Sequence, residues 1–182
     1  MFYKMKNTKS TKTVSHREYV LVVIKPDGMN KAFAGLVLQN FFATKLELIA
    51  AKALVVSKEL AENHYKHIKG KPFYQQTIDV MMGRFYKQKR VLALVFFGPE
   101  SIRQCREIAG ATNPQEADPQ SVRGAFGQVT PEGIFENVVH VSSDPKEAER
   151  EIKLWFSPEQ IDAKVYSTKT VTNGKHPKKV WA

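Results

Sequence analysis

Tyr19-Val20-Leu21-Val22-Val23-Ile24 runs directly into Lys25-Pro26-Asp27-Gly28. The first six residues have the length of a buried strand and are far too few to cross a bilayer. The Pro-Asp-Gly cluster that follows is a turn signal. Working outward, Leu36, Val37, Phe41 and Phe42 give a helix face between Lys31 and Lys45. Glu47–Val56 reads as a second strand, with Ser57 capping a helix that carries His64, Tyr65 and His67 and stops at Gly70-Lys71-Pro72. A further helix is expected from Phe73 to about Phe85, a third strand over Val91–Phe97, and a helix over Pro99–Ala109 ended by Gly110. Ala111–Glu136 is polar and rich in Gly and Pro, the pattern of a long functional loop. Asn137–His140 gives a fourth strand and Pro145–Trp155 the last helix, with Pro145 in its first turn. This order predicts a single α+β domain: a ferredoxin-like βαββαβ arrangement, its four-stranded antiparallel sheet covered by helices on one face.

The chain has 182 residues, 42% of them hydrophobic, enough for one domain with a proper core. Its formal charge of +10 looks like a nucleic-acid signature until it is located. Lys4, Lys6, Lys9, Lys12 and Arg17 lie in residues 1–17, and Lys164, Lys169, Lys175, Lys178 and Lys179 in 163–182, with no acid in either segment. These ten leave 18 cations against all 18 acids between them, so the middle of the chain is neutral. A domain over 18–160 is therefore expected between a disordered basic N-terminal extension (1–17) and a basic C-terminal extension (161–182). The first is expected to be dispensable for catalysis, while Val165, Tyr166, Val180 and Trp181 give the second apolar anchors. The N-terminal segment lacks the apolar stretch of a secretory signal and the stripe of a transit peptide. The single cysteine, Cys105, excludes an internal disulfide and points to a reducing, cytoplasmic setting.

The chemistry concentrates at Glu136-Asn137-Val138-Val139-His140-Val141-Ser142-Ser143-Asp144. It puts a histidine at the end of a β-branched strand, just ahead of a helix that carries Glu151. A carboxylate on one ring nitrogen would leave the other as a nucleophile. A core or capping histidine would be the ordinary reading, but Lys25, Arg106, Arg123 and the Thr112-Asn113-Pro114 turn supply what a polyphosphate needs. Arginine forks match phosphate oxygens in pairs, and lysine acts as a point charge. No Walker loop, Gly-x-Gly-x-x-Gly or His-Glu-x-x-His is present, so side chains must do the binding. Lys25 could equally be a solvated strand end. His64 and His67 lack a third ligand and read as a solvated helix face rather than a metal pair. Phe73 by itself reads as a core residue.

Together these landmarks resemble the nucleoside diphosphate kinase family over about residues 18–160. The resemblance rests on Lys-Pro-Asp-Gly after strand one, the His-Tyr and Pro-Phe pairs, Gly-x-Thr-Asn-Pro, Arg-Gly-x-Phe, Asn-x-x-His and Glu-x-x-x-Trp-Phe, all in family order. It implies a ping-pong transfer of the γ-phosphate of a nucleoside triphosphate to a nucleoside diphosphate, through a phosphohistidine formed at Nδ1 of His140. It also implies that Glu151 orients that histidine, with Ser142 beside it, and that Tyr65 stands near the reacting group. Lys25, Arg106 and Arg123 would bind phosphates with Thr112. Asn137 and Lys25 would contact the ribose, and Phe73 would stack on the base. Mg2+ would be held by nucleotide and water, with no protein metal ligand. Tetramers or hexamers built from a common dimer are implied, with the apolar strand Glu47–Val56 a candidate for pairing across it. Ala125 stands where the family has Asp, Val141 where it has a small residue, and Ser143 where Asp is common. The segment Phe73–Arg90 and the loop Gly127–Glu136 are longer than usual, the loop carrying Ile134 at the position of the base's second wall. The competing class is an RNA-recognition domain, with basic ends on a similar sheet. It requires exposed aromatics on a central strand, and Val91–Phe97 has no such run. Nucleic acid and membranes are therefore not expected partners. An idle scaffold of the same fold would not need His140, Lys25, Arg106, Arg123 and Glu151 together.

Overall fold

Val20, Leu21, Val22, Val23 and Ile24 have no exposed surface at all. They belong to the inner strand β1 (Arg17–Ile24) of the central sheet in the computed structural model, which describes residues 16–161, 164–173 and 176–182. After β1 come α1 (Pro26–Asn30), α2 (Ala34–Phe42), β2 (Glu47–Val55), α3 (Lys58–His64), α4 (Tyr74–Met81), β3 (Arg90–Pro99) and α5 (Ser101–Ala109). The chain continues through α6 (Val122–Phe126), β4 (Gln128–Val129), β5 (Phe135–Glu136), β6 (Val139–Val141), α7 (Pro145–Trp155), β7 (Thr168–Asn173) and β8 (His176–Trp181). The main sheet is antiparallel in the order β2-β3-β1-β6.

Alternate β1 side chains enter different cores. Val20, Val22 and Ile24 pack with Val37 and Phe41 of α2 and with Ile102 and Cys105 of α5. Leu21 and Val23 pack with Ala61 of α3, Ile78 and Met81 of α4, and Ile152 and Trp155 of α7. Helices therefore cover both faces of the sheet, not one. A run apolar at every position, as Val20–Ile24 is, has no face to show water, which is the physical reason for the second layer.

Several element ends differ from expectation for tertiary reasons. The Lys25–Gly28 turn is the start of α1, with Pro26 in its first turn. The helix expected over Phe73–Phe85 closes at Met81, because Gly83 turns back at φ +69°. The fourth strand begins two residues late, at Val139. Val138 sits at φ +66° and its N–H donates to Asp27 Oδ2 at 2.8 Å, so the backbone kinks before pairing starts. Ser57 caps α3 as read, accepting from Leu60 N, and Asp144 caps α7 by accepting from Glu147 N. The long polar stretch holds α6 and the β4–β5 hairpin.

Of the N-terminal extension, residues 1–15 lie outside the described residues. Arg17, placed there on charge, is the first residue of β1, pairs with Pro99 and lays its guanidinium over the Phe97 ring. The C-terminal segment forms the β7–β8 hairpin. Val165 is buried, Tyr166 stands edge-on to Tyr19 and Trp181, and Trp181 Nε1 donates to Phe156 O at 2.6 Å. Its apolar residues dock on their own chain. Among the described residues no helix is long and apolar enough to cross a membrane.

Candidate active site

The kink at Val138 and the three residues of β6 set the geometry. Val139 and Val141 are buried, and His140 between them faces the other way, bordering a cleft of about 810 Å³. Its Nε2 lies 3.0 Å from Glu151 Oε2. Glu151 is 2% exposed, on the inner side of α7, and its Oε2 also accepts from Ser142 Oγ at 2.6 Å. Ser142 Oγ in turn accepts from Leu21 N, so the triad is tied to the central strand. Burial by itself would raise the Glu151 pKa, but the His140 ring and the hydrogen bonds from His140 and Ser142 outweigh it and hold the carboxyl at about 2. An ionised carboxylate can only accept, so Nε2 carries the imidazole proton and Nδ1 keeps the lone pair.

His64 is the residue sequence reasoning missed. It is wholly buried rather than solvated, and its ring meets that of His140 edge-on with centroids 4.3 Å apart. Its Nδ1 accepts from Trp155 Nε1 at 3.1 Å. Burial, then the neighbouring His140, lowers its pKa well below the usual value, so it packs as a neutral ring. The signal was there: Ala61 and His64 are three apart on a helix and share its buried face. His67 remains exposed. Donor atoms of His64, His140 and Glu151 all lie within 4.8 Å of one another. Trp155 already engages Nδ1 of His64 and Glu151 already engages Nε2 of His140, and two imidazoles with one carboxylate do not suit a hard cation such as Mg2+.

Three cations reach the cleft in different ways. Lys25 is 5% exposed at the end of β1; burial lowers its pKa, and Asp27 Oδ1, 3.9 Å from Nζ, opposes that shift. Arg123 on α6 donates through Nη1 to Gly110 O (2.8 Å) and through Nη2 to Val139 O (2.9 Å), and burial lowers its pKa to about 10. It stays charged at neutral pH. Gly124 follows because a Cβ there would collide with the backbone of Asp118. Arg106, in the last turn of α5, is exposed. Asn137 is buried and donates from Nδ2 to Thr112 O at 2.8 Å, tying the Thr112 turn to β6. Tyr65 stands perpendicular to His140 with ring centroids 6.4 Å apart, and burial raises its phenol pKa, keeping it protonated. Phe73 is 51% exposed at the start of α4, which overturns the core reading of that residue. Lys25, Tyr65, Phe73, Arg106, Thr112, Arg123, Asn137, His140 and Glu151, the nine residues picked from sequence, all border the same cleft.

An imidazole nitrogen with a free lone pair, backed by a carboxylate and facing three cations, is equipped to accept a phosphoryl group from a polyphosphate. The family model for nucleoside diphosphate kinase matches residues 18–161. The chain belongs to the nucleoside diphosphate kinase family. It is 37% identical over 144 residues to the nucleoside diphosphate kinase of Pyrococcus furiosus, spanning 79% of this chain and 86% of that protein. It is 41% identical over 139 residues to that of Symbiobacterium thermophilum, spanning 76% and 87%. Among solved structures, a transition-state mimic of the Borrelia burgdorferi nucleoside diphosphate kinase with bound vanadate and ADP superposes with a TM-score of 0.71 at 31% identity, over 80% of this chain and 90% of that one. The Halobacterium salinarum enzyme in complex with CDP gives 0.73 at 29%, over 81% and 93%. This nucleoside diphosphate kinase transfers the γ-phosphate of nucleoside triphosphates to nucleoside diphosphates, by a ping-pong route through a phosphohistidine on His140.

Its departures from the family pattern have definite places in the structure. Val141 pairs with Val22 and packs in the core, and it also borders the cleft beside His140. Ala125 is exposed on α6, and Ser143 donates to Asp144 Oδ2 at the start of α7.

Proposed function

We propose that the cleft residues divide the transfer as follows. His140 Nδ1 attacks the terminal phosphorus, the bond from that phosphorus to the bridging oxygen breaks, and the nucleoside diphosphate leaves. In the second half-reaction a terminal oxygen of an incoming diphosphate attacks the same phosphorus and frees Nδ1. Throughout, Nε2 keeps its proton in the bond to Glu151, which stabilises the positive charge that grows on the ring. Lys25, Arg106 and Arg123 hold the phosphates and neutralise charge on the equatorial oxygens, with the Thr112 hydroxyl as a further donor. Tyr65 closes the site beside the reacting group. Asn137 and Lys25 contact the ribose, and Phe73 offers an exposed face on which a base can stack. The observation that carries this reading is the 3.0 Å contact between His140 Nε2 and Glu151, which leaves Nδ1 as the nucleophile.

The cleft's one buried carboxylate, Glu151, is committed to His140 and Ser142. Oxygen ligands for Mg2+ therefore come from phosphates and water, with the ion entering on the nucleotide. When bound it neutralises polyphosphate charge and polarises the phosphoryl group. In cells we place the protein in the cytoplasm, as a homotetramer or homohexamer. Among the described residues the outer strand β2 has an unpaired edge, and Leu48 and Val55 on it are exposed, which suits a subunit contact.

Stacking without edge readout tolerates every base. A coupled assay with purine and pyrimidine diphosphates as acceptors should show all of them accepted, and chelating Mg2+ should cut turnover sharply. Strict use of one base, or full turnover in chelator, would contradict the assignment.

A further inference from the structure

The β4–β5 hairpin is a built wall rather than a loose loop. Thr130 N donates to Ile134 O (3.0 Å), Gly133 N to Thr130 O (2.9 Å) and Ile134 N to Thr130 Oγ1 (3.2 Å), with Gly133 at φ +75° closing the turn. At its base the buried Glu136 carboxylate gathers three parts of the chain. Oε2 accepts from Lys31 Nζ after α1 (2.6 Å) and from Gln128 Nε2 on β4 (2.8 Å), and the Tyr86 hydroxyl sits at the same group. Tyr86 comes from the segment after α4 and Glu136 ends the β4–β5 hairpin, so two distant parts of the chain meet at one carboxylate. Successive residues of a strand face opposite ways, so anchoring Glu136 inward turns Phe135 outward. Phe135 is 41% exposed and borders the same cleft as Phe73, which is 51% exposed. Both rings present apolar surface to the cleft, and a ligand that covers it gains by removing that surface from water.

We propose that Phe135 is a second stacking face for the nucleobase, in the same cleft as Phe73, and that Glu136, held by Lys31, Gln128 and Tyr86, is the positioning residue that presents it. The inference rests on the cleft being the nucleotide site. It makes an aromatic side chain, rather than Ile134, the second wall, and it makes base size matter, because a purine offers both rings more area.

The test is acceptor kinetics with the full chain, using a purine diphosphate, a pyrimidine diphosphate and a ribose diphosphate lacking a base. Stacking on an aromatic is worth about 1–3 kcal/mol per base, so Phe135→Leu should raise KM about tenfold for the purine. The rise should be smaller for the pyrimidine and absent for the base-free acceptor, and kcat should fall less than KM rises. Tyr86→Phe should raise the purine KM a few-fold, and the double variant should be no worse than Phe135→Leu alone, since both act through one ring. Equal effects on all three acceptors, a loss confined to kcat, or an unmoved purine KM would overturn the stacking role while leaving the nucleotide site intact. No transfer to any acceptor by the unmodified protein would overturn both.

Discussion

Glu151 shows how far one side chain can be bent from its ordinary behaviour. Its burial opposes ionisation, and its partners reverse that and bring its pKa down to about 2. A carboxylate depressed in the folded state stabilises the fold fully above its unfolded value near 4.5 and loses that contribution as pH falls toward 2. Glu151→Gln should therefore narrow its stability gap to the parent protein as pH drops through that window, measured by urea unfolding at several pH values; a constant gap would contradict the account. The same variant should slow phosphoenzyme formation about a hundredfold in single-turnover experiments, because Nε2 loses its charged acceptor. The His140–Glu151 pair was legible because a β-branched strand, a histidine and a helix in register follow one another within sixteen residues. His64 was legible only through its spacing to Ala61, since three-residue spacing to His67 says nothing of which face the protein covers. Phe73 was misjudged on its own residues because hydrophobicity alone cannot separate a core ring from a ligand platform.

At the scale of elements, β1 was readable because its apolar run is continuous, yet the same run carried a message that was passed over. A strand hydrophobic on both faces requires two covering layers, and α2 with α5 and α3 with α4 and α7 provide them. The displaced start of β6 could not be read locally, because the group that kinks Val138 is Asp27, 111 positions earlier. The β7–β8 hairpin was hidden by its composition: alternating Thr and Lys resemble a solvated segment, and the docking depends on Val165, Tyr166 and Trp181. An isolated hairpin is marginal in water, so its anchor matters. Trp181→Ala removes an indole contact and the hydrogen bond to Phe156 O, and should lower unfolding stability by about 2 kcal/mol. Unchanged stability in urea would mean that the hairpin holds its place without that anchor.

Seen whole, the molecule separates its electrostatics from its chemistry. The basic ends supply the net charge, while the balanced domain between them concentrates a few cations at one cleft, where low dielectric makes each count for more than it would in water. In the proposed mechanism that concentration, and not the overall charge, decides what the protein handles: the +10 suggests a polyanion, whereas Lys25, Arg106 and Arg123 border the same cleft as His140. The two-step route follows from the same placement, since one nucleophile serving one cleft must hand the group on before a second nucleotide can use it. The most direct measurement is to incubate the protein and its His140→Ala variant with γ-labelled ATP and then follow the protein-bound label in acid and in base. The unmodified protein should carry label that is lost in acid, survives base and transfers to added nucleoside diphosphate, and the variant should carry none. Label on the variant, or label on a serine that withstands acid, would contradict a phosphohistidine at His140.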